Sequence, residues 1–220
     1  MAEYLIKGET LTGIADAIRE KTGGTDPVAV SDMAGKIAGI EAGCGDIDAL
    51  IDRSITEISS SSVTSIGEGA FSYSNALTTV GFPVATSIGN YAFYFCNALT
   101  TVNFPVATSI GEGAFQYCNA LTTVDFPVAT SIGDSAFQYC TLLESLLLRG
   151  NNVCELQSKT SFNATPIKSG TGYIYVPSAL IEQYKVETNW STYAAQFRAL
   201  EDYTVDGTVT GELDPAKTGT

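Results

Sequence analysis

Histidine does not occur in the 220 residues, and tryptophan occurs once. The first absence removes the usual general base, and with it the Ser–His and Cys–His arrangements of nucleophilic catalysis. It also leaves the five cysteines with no imidazole to complete a mixed zinc set, and their spacing matches no all-cysteine motif. Basic residues are scarce: 11 lysines and arginines stand against 24 aspartates and glutamates, a net charge of −13. A field of that sign repels phosphate backbones and anionic headgroups, so neither nucleic-acid binding nor polybasic membrane docking is expected. No apolar run approaches the roughly 18 residues of a membrane-spanning helix. The opening MAEYLIKGETLTGIADAIRE lacks the basic stretch and apolar core of a secretory signal. Membrane insertion and signal-directed export are therefore both unexpected.

Against these absences stands one conspicuous presence, repetition. From Val63 to Cys140 the phrase TSIGxxAFxxCNALTTVxFPVA is written almost three times and begins a fourth. Ile66, Ile88, Ile110 and Ile132 recur every 22 residues in step with Phe71, Phe93, Phe115 and Phe137. A fixed period of that length marks a solenoid, in which each copy forms one turn and buries its apolar face only against its neighbours. Within a copy, LTTVNFP alternates Val102 and Phe104 with Thr101 and Asn103, the pattern of a short strand, and Pro105 ends it. Thr108, Ser109 and Ile110 form a second extended piece closed by Gly111, with Ala114 and Phe115 in a tight helical turn. The repeated glycines are read as turn residues. One period upstream, Ile55 and Ile58 fall under Leu77 and Val80, but Ser60 falls where Phe82 belongs, as suits an atypical closing turn. Downstream, Leu143, Leu146 and Leu148 keep the core positions while Arg149 replaces the proline.

The flanks read differently. Residues 1–41 carry two short helical patterns, capped by Thr10 and Ser31, and form an N-terminal helical hairpin; 42–48 form a linker around Gly43 and Gly45. The solenoid spans 49–150 as an N-terminal cap turn plus four repeats. Residues 151–202 form a C-terminal α/β cap: a strand at Gly172–Pro177, a helix capped by Ser178 and bearing Leu180, Ile181 and Tyr184, then a helix carrying Trp190, Tyr193 and Phe197. In the tail, 203–220, Asp206-Gly207 suits a two-residue hairpin turn, and the last residues are expected to be loose.

From Cys96 to Cys118 and again to Cys140, the phrase CNALTTVxFPVATSIGxxAFxxC resembles the BspA-like leucine-rich repeats, the LRR_5 type. The resemblance implies an α/β repeat: a leucine-rich-repeat solenoid of 22-residue turns and short parallel strands between the N-terminal hairpin and the C-terminal cap. Ser74 in place of the first cysteine and the missing proline after Leu148 depart from the pattern. Such repeats recur in bacterial surface adhesins, protist surface proteins and phage-encoded proteins, so the resemblance implies a binding or structural protein rather than an enzyme. The leader LIKGETLTGIADAIREKTGGTDPVAVSDMAGKI is similar to leaders of phage and prophage tail-associated structural proteins. It implies a virion protein released by lysis, presenting the repeats for attachment to a host-surface glycan or protein or to other virion proteins. A leader too small to bury its own core also points to a homo-oligomer. The alternative is a BspA-like bacterial cell-surface adhesin. A remote alternative is a carbohydrate-active enzyme using the carboxylates of Glu112 and Asp134.

No cofactor, metal or catalytic residue is assigned. The candidate binding surface has two parts. Tyr73, Phe95, Tyr117 and Tyr139 share one column, with Tyr94 beside it and Tyr91 near it; exposed, they would form a ridge suited to sugar faces or a protein partner. The alternative is that they pack beneath neighbouring turns. The strand face with Thr101, Asn103 and Asp125 is the second part, although such stacks also arise from simple ladder satisfaction. Cys96, Cys118 and Cys140 form a column expected to be buried thiols filling a corner. Near-identity between copies marks the repeated residues as scaffold, which places recognition at positions that vary: Gly81, Asn103 and Asp125; Gly69, Tyr91 and Gly113; Ser72, Tyr94 and Gln116.

Overall fold

The computed structural model describes residues 55–205 and 208–209. The leader over 1–41, the linker over 42–48, the start of the first turn and the Asp206-Gly207 pair lie outside the described residues. Each copy of the phrase makes one turn with two short strands. The longer series is β1 (Glu57–Ser59), β3 (Thr79–Gly81), β5 (Thr101–Asn103), β7 (Thr123–Phe126), β9 (Ser145–Leu148), β11 (Tyr173–Val176) and β12 (Phe197–Ala199). The shorter series is β2 (Ser65–Ile66), β4 (Ser87–Ile88), β6 (Ser109–Ile110), β8 (Ser131–Ile132) and β10 (Glu155–Leu156). The shorter strands form one parallel sheet ordered β10-β8-β6-β4-β2, and the longer strands form two parallel blocks, β1-β3-β5 and β12-β11-β9-β7. Register advances by one period per step, Val80 opposite Val102 and Ile88 opposite Ile110. The fold is the solenoid that the period implies, of the leucine-rich-repeat kind that the resemblance implies.

Columns of identical side chains fill the interior. Phe71, Phe93, Phe115, Phe137 and Phe162 stack nearly parallel, with centroids 5.2–5.5 Å apart. Phe82, Phe104 and Phe126 form a second column against it, and Leu77, Leu99, Leu121 and Leu143 are fully buried alongside.

The corner holding Ala114 and Phe115 is a chain of reverse turns rather than the expected helical turn. Bonds of the i+3 to i kind close it: Ala114 N–H donates to Gly111 O at 3.3 Å, Gln116 N–H to Gly113 O at 3.0 Å, and Cys118 N–H to Phe115 O at 3.0 Å. Alternate amides are then free for the next turn. Gly113 N–H donates to Asp134 O at 2.8 Å, Phe115 N–H to Ala136 O at 2.8 Å, and Tyr117 N–H to Gln138 O at 3.0 Å. A helical turn would spend those amides locally and leave the neighbouring carbonyls without donors.

The glycines of the Ile-Gly steps are required by the closeness of successive turns, not by turn conformation. A Cβ on Gly111 would lie 2.6 Å from Gly89 C and Asn90 N, and one on Gly133 would lie 2.5 Å from Glu112 N. Both neighbours are backbone and cannot swing away.

Past Leu148 the columns continue although the spacing has stretched. Leu156 lies opposite Ile132, Phe162 stacks on Phe137, and Ile174 lies opposite Leu146. Thr165, buried, caps the short helix α1 (Pro166–Ser169) by accepting from Lys168 N–H. A 3-10 turn (Ser178–Leu180) leads into α2 (Ile181–Val186), and Ser178 makes no capping bond; its hydroxyl reaches Glu201 at 3.4 Å. Trp190 and Tyr193 lie in a second 3-10 turn, and Phe197 belongs to β12, parallel to β11, instead of to a helix. Tyr184, Trp190, Tyr193 and Phe197 close the end of the stack over Phe162. The tail pairs Thr204 with Val209 and Val205 with Thr208 in antiparallel fashion as β13 (Thr204–Val205) and β14 (Thr208–Val209), the hairpin expected of the Asp-Gly pair.

The tightness of the Ile-Gly step sets an expectation. Gly111→Ala lowers unfolding stability in urea by about 3 kcal/mol. Gly150→Ala, whose added Cβ meets nothing closer than 3.7 Å, changes it by less than about 0.5 kcal/mol. Equal losses at the two sites would show that the approach of neighbouring turns is not what demands glycine.

Candidate functional site

The reverse-turn corner that satisfies the backbone also places two residues per turn in the left-handed region: Gly69, Tyr91, Gly113 and Ser135, with φ of 61°, 53°, 55° and 53°, and the aromatic column four residues on. Tyr73, Phe95, Tyr117 and Tyr139 have φ of 63°, 59°, 64° and 62°. Glycine or asparagine adopts that conformation at least cost, whereas an aromatic residue is strained by about 1–2 kcal/mol. Four aromatics stand there nonetheless. Their rings stack face to face: Tyr73 on Phe95 at 5.2 Å, Phe95 on Tyr117 at 4.2 Å, and Tyr117 on Tyr139 at 4.5 Å. Each such pair contributes about 0.5–1.5 kcal/mol, which roughly offsets the strain.

The stack is neither fully exposed nor packed away. Tyr73 and Tyr139, at its ends, are 44% and 39% exposed, and Phe95 and Tyr117 between them are half-buried. Ring faces are occupied by neighbouring rings, so within the column the rings show their edges outward. Tyr94 stands edge-on to Tyr73, Phe95, Tyr117 and Tyr91, widening the ridge. The Tyr91 hydroxyl donates to a Glu112 carboxylate oxygen, which pushes its pKa up to about 12.

The strand-face candidates are dispersed by comparison. Thr101 and Asn103 are exposed on β5. Asp125 is engaged by Arg149, whose Nε donates to both carboxylate oxygens at 3.1 and 2.9 Å while a terminal nitrogen sits at 2.8 Å. The arginine that replaces the proline thus neutralises the acid one turn below. A depression of about 300 Å³ lies beside it, lined in part by Pro127, Val128, Arg149 and Val153. Of the carboxylate column, Asp134 accepts from the Thr160 hydroxyl and from Ser135 Oγ at 3.1 Å, and the Thr160 bond holds its pKa below the usual carboxylate range. Among the described residues, no group of three His, Cys, Asp or Glu side chains is placed to hold a metal ion.

The cysteine column is interior. The thiols of Cys96, Cys118 and Cys140 are buried, unbridged, and donate to the carbonyls of Phe71, Phe93 and Phe115 at 3.0–3.1 Å. Burial drives the Cys118 and Cys140 thiols well up, and Cys154 up to about 12. Thr165 takes the column's next position, and Ser74 the preceding one; both are buried.

Two features escape sequence reading. Asn75, Asn97 and Asn119 form an amide ladder, each Nδ2 donating to the Oδ1 before it at 3.0 and 3.1 Å; Asn119 Oδ1, buried and unbonded, ends it because the next copy has Thr141. Val84, Val106 and Val128 form an exposed stripe although they are identical in every copy. Solvent access is therefore not confined to the varying positions: the columns of Val84 and Tyr117 are repeated and reach solvent as well. No periodicity distinguishes an outward from an inward repeated apolar residue at an irregular corner.

The profile of the BspA type leucine rich repeat region matches residues 49–171 in six copies. No curated protein matches the chain. Among solved structures, a leucine-rich repeat protein from Bacteroides ovatus ATCC 8483 is 24% identical, with a TM-score of 0.51 over 66% of this chain and 36% of its own. A leucine rich cell surface protein from Faecalibacterium prausnitzii A2-165 is 24% identical, with a TM-score of 0.41 over 61% of this chain and 38% of its own. The chain spans little more than a third of the length of either. Among the described residues no helix is long and apolar enough to cross a membrane.

Two outcomes follow from the burial of these groups. In the native protein, iodoacetamide at pH 8 leaves Cys96, Cys118, Cys140 and Cys154 unmodified by mass spectrometry, and guanidinium exposes all four; modification without denaturant would contradict the interior placement. Burial raises the Tyr184 and Tyr193 phenols to about 12 from an ordinary 10. The folded state therefore keeps protons that the unfolded state releases, so this contribution is intact below pH 10 and is lost between pH 10 and 12. The share of the phenolate absorbance at 295 nm that belongs to Tyr184 and Tyr193, read as the difference from a Tyr184→Phe, Tyr193→Phe variant, should accordingly rise together with loss of circular dichroism in that window, instead of preceding it.

Proposed function

The chain belongs to the BspA-type leucine-rich-repeat family, whose profile covers residues 49–171, and on that premise we propose that it is a non-enzymatic binding protein of the surface-adhesin kind. Its attachment surface is the aromatic ridge of Tyr73, Tyr94, Phe95, Tyr117 and Tyr139, with Tyr91 at its margin. The observation that carries this reading is the choice of residue at the left-handed position. Backbone conformation there favours glycine or asparagine, and ring stacking does no more than offset the strain of an aromatic. Folding alone is indifferent to the rings, so their retention in four successive turns is explained by what their outward edges and hydroxyls meet. Aromatic side chains also contribute disproportionately to protein interfaces because they bury much area at little entropic cost. Thr101 and Asn103 extend the polar face of β5 on the same solenoid, whereas Asp125 serves the ion pair with Arg149.

What singles out an attachment role in a phage particle is chiefly the resemblance of the leader. The family match begins at residue 49, beyond it, and the adhesin reading needs only the residues within the match. The acidic balance of −13 suits a partner that is neutral or basic.

Replacing Tyr73, Phe95 and Tyr117 together with asparagine tests the ridge. Strain relief and lost stacking should nearly cancel, leaving the unfolding free energy within about 2 kcal/mol of the parent. Attachment of the fluorescently labelled chain to intact epithelial and bacterial cells, measured by flow cytometry, should fall at least about tenfold. Undiminished attachment by a folded triple variant would remove the ridge from the mechanism.

A further inference from the structure

The geometry points to the uncovered face of Tyr139 as a stacking platform for the apolar face of a neutral pyranose ring, an inference that rests on reading this corner as a binding surface. Inside the column no ring can receive a sugar, because both faces of Phe95 and Tyr117 are covered by rings 4.2–5.2 Å away. Tyr139 differs. Its ring has an aromatic neighbour on one side only, Tyr117, and it is 39% exposed.

The chain beyond Tyr139 repeats the corner without the ring. Phe137 N–H donates to Ser161 O and Tyr139 N–H to Asn163 O at 2.8 Å, so 161–164 stand where 136–139 stood one turn earlier. Ala164 occupies the tyrosine position and keeps its left-handed backbone, φ 58°. The corner is thus built for a fifth ring and carries a methyl group. A ring stacked on that side of Tyr139 at the spacing of this column, 4.2–5.2 Å, would take the place of the missing fifth ring.

The surroundings select the class of ring. Among the described residues, Asn163 has no side-chain hydrogen bond and Gln138 only accepts one, from Gln116. Two neutral amides, one preceding Tyr139 and one preceding Ala164, therefore retain donors and acceptors, the complement of sugar hydroxyls. Thr141 adds an exposed hydroxyl. Leu142, 53% exposed, stands where the other turns have Ala76, Ala98 and Ala120, and adds apolar surface only at this end. Anionic rings are disfavoured by Glu112 and Asp134 on the neighbouring column and by the net charge of −13. An aromatic side chain from a protein partner would stack on Tyr139 but leave the free amides unmatched.

The test uses the full chain on an array of neutral oligosaccharides (glucose, galactose and N-acetylhexosamine units), with sialylated and sulfated glycans as anionic controls. The parent should retain neutral glycans, Tyr139→Phe should match it, and Tyr139→Ala should bind about tenfold more weakly. Ala164→Tyr supplies the missing ring, extends the stack, and should abolish glycan binding with no loss of thermal stability. Saturation-transfer NMR with the best neutral oligosaccharide should show ring protons on one face of the sugar contacting the protein in the parent and not in Tyr139→Ala or Ala164→Tyr. Glycan binding that survives both Tyr139→Ala and Ala164→Tyr would overturn the platform. Preference for anionic glycans, or no retention of any neutral oligosaccharide, would overturn the ligand class. In either case, cell attachment that still depends on Tyr73, Phe95 and Tyr117 would leave the ridge reading standing, so the two failures are separable.

Discussion

Every turn of this solenoid leaves its backbone amides and carbonyls to be satisfied by the turns on either side, and that dependence governs the rest of the structure. Hydrogen bonds run both ways around the ring. On the Thr-rich side the later turn donates, as Gly111 does to Ile88 O at 2.8 Å; at the aromatic corner the earlier turn donates, as Phe115 does to Ala136 O at 2.8 Å. Buried amides without partners are costly, so the turns cannot drift apart or slip. Side chains inherit the same register. Phenylalanine stacks on phenylalanine, cysteine thiols bond to carbonyls one turn back, and threonine hydroxyls do likewise, as Thr108 Oγ1 does to Thr86 O at 3.1 Å. Even the glycines follow from this spacing, since any side chain at Gly111 would enter the backbone below it.

The aromatic corner is the place where that constraint and binding meet. Turning alternate amides toward the next copy requires reverse turns, and reverse turns require a left-handed residue. A structure concerned only with folding would place glycine there, as the corner's other left-handed position does in two of its turns, at Gly69 and Gly113 with φ 61° and 55°. Tyrosine and phenylalanine instead bear strain that their mutual stacking offsets. The stack in turn hides the ring faces and leaves edges and hydroxyls outward, so the ridge is suited to contact along its length and to stacking only where it ends.

Much of the architecture was legible in order of residues. Isoleucine and phenylalanine at a fixed interval reported the turns, alternation in TTVNF reported the strands, and the Asp-Gly pair reported the hairpin. Legibility stopped where the spacing changed. After Leu148 the interval stretches, yet Leu156, Phe162 and Thr165 hold the isoleucine, phenylalanine and cysteine positions. Extra residues enter at corners, where loop length is tolerated, and counting by a constant period passes over them. Phe197 was similarly opaque: an aromatic spaced helically from Trp190 and Tyr193 joins a parallel strand because β11 offers an unpaired edge.

The sequence by itself determined the solenoid, since only stacking of like on like makes use of near-identical copies. It also determined the interior columns, because apolar residues at the period have nowhere else to be buried. The tertiary structure alone decided which repeated residues face water. Val84 and Phe82 lie two residues apart in the same phrase, one exposed and one fully buried, and no pattern in the phrase separates them. The reason is physical: between the short strands the chain runs through tight irregular corners. There the outward or inward aim of a side chain follows from backbone torsion and the neighbouring turn, not from a helical or strand period. That is also why the exposure of the aromatic column, the engaged state of Asp125 and the missing ring at Ala164 were decided only in three dimensions.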